Sequence, residues 1–230
     1  MKSIIRNLSG PTEFCLILFV CFGLTIVGNT VWLIEHLWLA VAQTPALEPR
    51  HIQNEDFIFI AVFEVVALSI ALGIGHIRGW TVASFGLRPS WKWSVVGVLV
   101  FLAFLLIQRV LGLLAREVFH GTVNFHRVCD ATIPFVILIS IVNPVFEELF
   151  ECGYFFQALQ RHGMWITVLA SAAFRGFLHT TMGINGFVFM FAEGLLHGFF
   201  YWKWRQLWPL ILAHSLQMLY VLLPPALAAW

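Results

Sequence analysis

Seven apolar runs, each close to the length that crosses a bilayer, divide this sequence and leave few folds open to it. A helix needs about 20 predominantly apolar residues to pass the hydrocarbon core. The runs extend roughly from Glu13 to Ala42, Asp56 to Ile74, Trp91 to Leu114, Ala131 to Leu159, Met164 to Thr180, Gly186 to Trp202 and Leu207 to Leu223. With 60% of 230 residues hydrophobic and 11% charged, a water-soluble domain is excluded. The expectation is an all-α, polytopic transmembrane helix bundle of about seven spans, forming a single integral-membrane domain over residues 1–230. The long first and fourth runs leave room for an eighth span. Lys2 and Arg6 precede the first run as they would in a signal peptide, but that run is too long and ends in no small-residue cleavage site.

Basic residues set the expected orientation, because short cytoplasmic loops retain Lys and Arg. With the N-terminus inside, the cytoplasmic segments hold Lys2, Arg6, Arg78, Arg88, Lys92, Arg161, Lys203 and Arg205, against Arg50, Arg116 and Arg127 outside. Seven spans then put the C-terminus outside, in the cell membrane if the source is prokaryotic. Trp91, Trp93, Trp165, Trp202, Trp204 and Trp208 fall where an interfacial belt would sit. A net charge of +1 argues neither for nucleic acid nor for an acidic partner, and the apolar runs make membrane lipid the expected surrounding partner, with no nucleic acid. The four cysteines have neither disulfide-framework nor zinc-finger spacing.

Against this apolar background the fourth run carries Asn143-Pro144-Val145-Phe146-Glu147-Glu148-Leu149-Phe150-Glu151-Cys152-Gly153. One charge at the centre of a spanning helix costs about 2.5–3.5 kcal/mol on insertion scales, so intramembrane carboxylates usually mark a site rather than a mere helix contact. Pro144 frees a carbonyl one turn earlier and bends the helix just before Glu147, which favours a hydrated pocket there. Regular helical spacing puts Glu147 and Glu151 on one face, with Glu148 and Cys152 on the next. Cys152, in apolar surroundings, reads as an inert thiol.

The later runs supply possible partners. Arg175 and His179 share a face of the fifth, where Arg175 is expected as counter-ion to Glu148 or Glu151 and His179 as a base or acid. Glu193 and His197 lie one turn apart in the sixth, but without HExxH, and Gly194 and Gly198 suit close packing. Packing and hydrogen bonding are the preferred reading there. No cofactor is expected, although the inventory leaves a divalent metal such as zinc open. His214 lies about 8 Å from the inner end of the last run and His179 about 22 Å from that of the fifth, so the two meet only if helices tilt. Glu64, in the second run, has no partner visible in the sequence.

The paired glutamates after a proline, a His in the next span and Leu-Trp-Pro-Leu-Ile-Leu-Ala-His in the last resemble the CAAX protease and bacteriocin-processing (CPBP) family of intramembrane glutamic endopeptidases. The likeness covers roughly Phe85 to Met218 and includes the Phe-Gly-Leu-Arg-Pro-Ser-Trp loop. Its pattern is EExxxR, FxxxH and HxxxN. Glu147 and Glu148 match the first motif, His179 the second and His214 the third, while Cys152, Arg175 and Met218 stand at the arginine, phenylalanine and asparagine positions.

The resemblance implies that Glu147, made more basic by burial, and His179 deprotonate a water that attacks a peptide carbonyl. It implies that His214 donates to the oxyanion and that Glu148 positions the others. The expected substrate is a protein or peptide with a membrane-associated tail, cut near that tail. Two other readings remain: a catalytically reduced scaffold or immunity protein, and a proton-coupled transporter, for which the sequence lacks inverted repeats.

Overall fold

A computed structural model describes residues 10–41, 50–77, 79–119 and 127–228, and the chain folds as an all-α membrane bundle. Its helices are α1 (Gly10–Val41), α2 (Asn54–Ile77), α3 (Trp91–Phe119), α4 (Ile133–Glu148), α5 (Met164–Leu178), α6 (Gly183–Trp204) and α7 (Trp208–Ala228). α4 runs on through a π-helical turn, Leu149–Tyr154, into a short α-helical end, Phe155–Leu159.

Boundaries follow local chemistry. Pro134 stands in the first turn of α4 and Pro209 in that of α7, where a missing N–H costs nothing. Arg205, with φ 49°, turns the chain out of α6.

Of the seven expected spans, four described helical stretches are long and apolar enough to cross a bilayer: Thr12–Glu35, Asn54–Ile77, Trp91–Leu114 and Ile133–His162. At 15 residues, α5 reaches only about 22 Å. α6 is long enough but interrupted by Glu193, His197 and Lys203. Packing accounts for the difference. α1, α2 and α3 turn Phe19, Leu24, Phe59, Val62, Leu102 and Leu106 outward, as lipid-facing helices do. α5 and α6 instead pack tightly on each other, and α7 lies against α3 and α4. A Cβ at Gly194 of α6 would fall 2.6 Å from Ala172 Cα, so the α5–α6 contact is nearly backbone to backbone.

Two features depart from the sequence reading. Short parallel strands β1 (Arg50–Ile52) and β2 (Arg127–Cys129) pair Ile52 with Cys129, tying the segment before α2 to that before α4. An exposed His51–Asp130 pair at 2.7 Å closes the same corner. Strands this short have no hydrophobic period to read. At the opposite end the Phe85–Gly86 turn, legible only as punctuation, acts as a clasp. Leu207 N–H donates to Gly86 O at 3.1 Å, Tyr201 Oη to Phe85 O at 3.1 Å, and the Phe85 ring lies against Gly153 of the π turn. Lys2, Arg6 and Arg78 of the orientation argument lie outside the described residues.

Candidate active site

Helix arithmetic brings three charged residues to one depth. Glu148 is eleven residues from Leu159, Arg175 eleven from Met164 and Glu193 eleven from Trp204, all counted from helix ends on the same side of the bundle. That is roughly 16 Å, near the middle of a bilayer core. Arg175 sits among three carboxylates: Nη2 pairs with Glu148 Oε1, Nε with Glu151 Oε2, and Nη1 lies 3.2 Å from Glu193 Oε1. All four residues are at most 1% exposed, so none of these charges is turned to lipid. A buried guanidinium needs such a cage, because its five donors cannot be left dry.

Glu148 Oε1 is the node that joins the helices. Besides Arg175 it accepts from His197 Nδ1 at 3.0 Å and from His214 Nδ1 at 3.1 Å. Both rings are thereby held with the proton on Nδ1, leaving Nε2 for other work. Nε2 of His214 faces Glu147 Oε2 at 3.9 Å, and Nε2 of His197 faces Glu193 Oε1 at 3.9 Å. Gln217 Nε2 donates to the other oxygen of Glu193 at 3.3 Å.

The π turn departs from the face assignment made on regular spacing. Glu148 and Glu151 meet at Arg175, while Glu147 turns instead toward Asn143 and His214. A π turn inserts an extra residue and loosens backbone pairing, a feature frequent at functional positions. Here the Ser171 hydroxyl donates to the Glu151 carbonyl at 2.8 Å and steadies the turn from α5.

His179 caps the end of α5, its Nδ1–H donating to the Arg175 carbonyl at 2.9 Å, so its Nε2 lone pair is free. Asn29 of α1 donates to the carbonyls of Phe177 and Leu178 and holds that helix end in place. His179 lies within electrostatic reach of Glu147, although among the described residues no hydrogen bond or ion pair joins them. His214 reaches Glu148 at 3.1 Å from an α7 that begins inside the protein, with Leu207 and Leu210 fully buried beneath the Gly86 clasp.

Sequence reasoning left the partners of several participants open. Glu64 has a partner after all: Asn143 Nδ2 donates to it at 2.6 Å and to Glu147 at 2.9 Å. Glu193, His197 and Gln217 also line the centre, the hydrogen-bonding side of the preferred reading of the sixth run. Their signal was present as polar residues one turn apart in an apolar helix. Cys152 is packed in the larger apolar cluster with its thiol toward Glu148, and Met218 against a second cluster with Val142 and Leu219, so the family's arginine position holds no cation and its asparagine position no amide.

Ligand atoms of Glu148, Glu193 and His197 lie within 4.8 Å of one another, a set that could hold a cation. The Arg175 guanidinium already bonds or faces both carboxylates of that set, so a metal would compete with a resident positive charge.

Residues 130–219, from just before α4 into α7, match the family model described as Rce1-like, type II CAAX prenyl endopeptidase Rce1-like. No curated protein and no solved structure matches the chain. The matched segment contains every residue of the centre except Glu64.

Proposed function

We propose that this chain, a CAAX-protease-family protein by its Rce1-like segment, is a glutamic-type endopeptidase cutting a membrane-anchored protein or peptide near its tail. The observation that carries the reading is a buried carboxylate oxygen, Glu147 Oε2, which among the described residues has no hydrogen-bond partner yet faces an imidazole at 3.9 Å. A water drawn in beside this oxygen would find polar partners on more than one side.

In this reading Glu147 Oε2 takes a proton from that water as its oxygen adds to the scissile carbonyl carbon. His179 assists through its free Nε2. His214, when doubly protonated, keeps Nδ1–H on Glu148 and offers Nε2–H to the developing oxyanion. As the C–N bond breaks, the proton held by Glu147 passes to the leaving amine. Glu148, Glu151 and Arg175 hold the geometry without entering the proton path. Catalysis at membrane depth suits a substrate whose anchor keeps its tail within the bilayer. The domain is proposed to extend over residues 1–230, with the N-terminus cytoplasmic.

A catalytically reduced scaffold is favoured by one observation: Met218 is committed to an apolar cluster, so position 218 supplies no amide beside His214. One experiment separates the two readings. The purified protein in liposomes is given membrane-anchored peptides with varied tails, with and without chelator. Cleavage that persists in chelator and falls about 10²-fold or more in Glu147→Gln and in His179→Ala supports the peptidase. Cleavage undiminished in Glu147→Gln would refute the role given to that residue. A folded parent that cleaves none of the tails favours the scaffold.

A further inference from the structure

The amide of Asn143 has two hydrogens, and two carboxyl groups take them. Nδ2 donates to Glu64 Oε1 of α2 at 2.6 Å and to Glu147 Oε1 of α4 at 2.9 Å. Glu64 is 5% exposed and Glu147 9%, and in each the second oxygen, Oε2, is buried without a hydrogen-bond partner among the described residues. On its other side Glu64 borders a cavity of about 230 Å³ whose remaining walls are Val65, Leu68, Ile141, Val142, Val145 and Phe146. Among the described residues that lining supplies no cation.

The charged and titratable groups facing the pair come from the helices opposite. His214 of α7 acts on both acids, His179 of α5 acts on Glu147, and Glu151 adds further negative charge from the π turn. Arg175 is bonded to Glu148 and Glu151 and faces Glu193, and it acts on Glu147 only through space. Two carboxylates separated by one amide nitrogen repel each other, and among the described residues His214 makes an ion pair, at 3.9 Å, with Glu147 and none with Glu64, so a shared proton is favoured on Glu64.

We propose that Glu64 is a positioning residue for Glu147, and that the two carboxyl groups hold one proton between them, kept on Glu64. The inference rests on Glu147 being the base of the proposed reaction. Glu64 anchors Asn143, Asn143 pins Oε1 of Glu147, and Oε2 is left as the one oxygen free to meet water. When water attacks, its proton goes to Glu147 Oε2 and its oxygen to the carbonyl carbon. The Glu64 proton stays where it is, so the pair passes from one negative charge to none. When the C–N bond breaks, Glu147 returns its proton to the amine and the starting state is restored.

Infrared difference spectroscopy of the purified protein in lipid, without substrate and at neutral pH, reads the proton directly. A carboxylic-acid carbonyl band present in the parent and lost in Glu64→Gln is expected; a band unchanged by that substitution overturns the shared proton. Turnover reads the positioning. Glu64→Gln keeps a neutral acceptor for Asn143, and kcat should stay within about threefold of the parent. Glu64→Leu releases Asn143, and kcat should drop about tenfold or more with KM little changed. Parent-like kcat in Glu64→Leu, or equal loss in both variants, overturns the role, with thermal unfolding in detergent confirming that Glu64→Gln is folded. If the parent cleaves nothing, the peptidase reading fails, whereas the infrared band still decides the proton.

Discussion

Arg175 sets the energetics at the scale of single residues. It is 1% exposed, its three carboxylate neighbours come from α4, the π turn and α6, and it is the one cation with a permanent charge in the described centre. Removing one partner of a buried ion pair costs about 3–5 kcal/mol, because the opposite charge is left uncompensated. Arg175→Ala should therefore lose about that much in reversible unfolding from mixed micelles, with three acids stranded. Arg175→Lys keeps the charge but cannot fork to Glu148 and Glu151 together, so an intermediate loss is expected. Equal stability of parent and Arg175→Ala would mean that the cage takes up protons instead. An intramembrane arginine asks for carboxylates, and that much is legible in the chain. The sequence does not show which acids answer, because Glu148 Oε1 collects donors from three helices at once. Asn143 and Gln217 were silent for a related reason. An amide on a spanning helix has no expected partner until its neighbours are known.

Among the elements, the Gly86 clasp and the π turn act as one device. Gly86 has φ 69°, and a Cβ there would lie 1.8 Å from the Arg205 carbonyl oxygen, so both conformation and space demand glycine. Gly86→Ala should destabilise by about 1–3 kcal/mol and also lower activity, since displacing the clasp moves Phe85 off Gly153 and the start of α7 that carries His214. Loss of stability with activity per folded molecule unchanged would separate the clasp from the centre. The apolar period marked seven helices and placed the glutamates, but it presumes 3.6 residues per turn, and the π turn breaks that presumption at Leu149–Tyr154. The β1–β2 pair was equally hidden. Outside the spans, burial raises the Cys129 thiol above its usual range, and its backbone bond near Ala131 offsets this only partly. Less thiolate is then present at neutral pH, so a maleimide should label Cys129 more slowly than a free cysteine, and faster as pH rises. Parent-like labelling at the free-thiol rate would show that the strand pair opens readily.

At the level of the whole molecule the chain divides its labour. α1, α2 and α3 present apolar surface outward, and α4 to α7 enclose charges that lipid would not tolerate. The shorter α5 and the polar-interrupted α6 could not be told from full spans by composition, because what exempts them from lipid is the packing around them. Leu106, 66% exposed on α3, tests that surface. In water its replacement by Lys would be nearly neutral, whereas in a bilayer Leu106→Lys should cost about 2.5–3.5 kcal/mol and reduce the membrane-inserted yield. Orientation then decides which compartment delivers the substrate. The Ser84–Trp91 side of the bundle carries Arg88 and Lys92, together with Lys203 and Arg205, and is proposed to be cytoplasmic; Gln53, between β1 and α2, lies at the opposite end. In right-side-out vesicles of a cysteine-free background, a membrane-impermeant maleimide should label Gln53→Cys at once and Ser90→Cys only after permeabilisation. The reverse pattern would invert the bundle and require tails to arrive from the outer face.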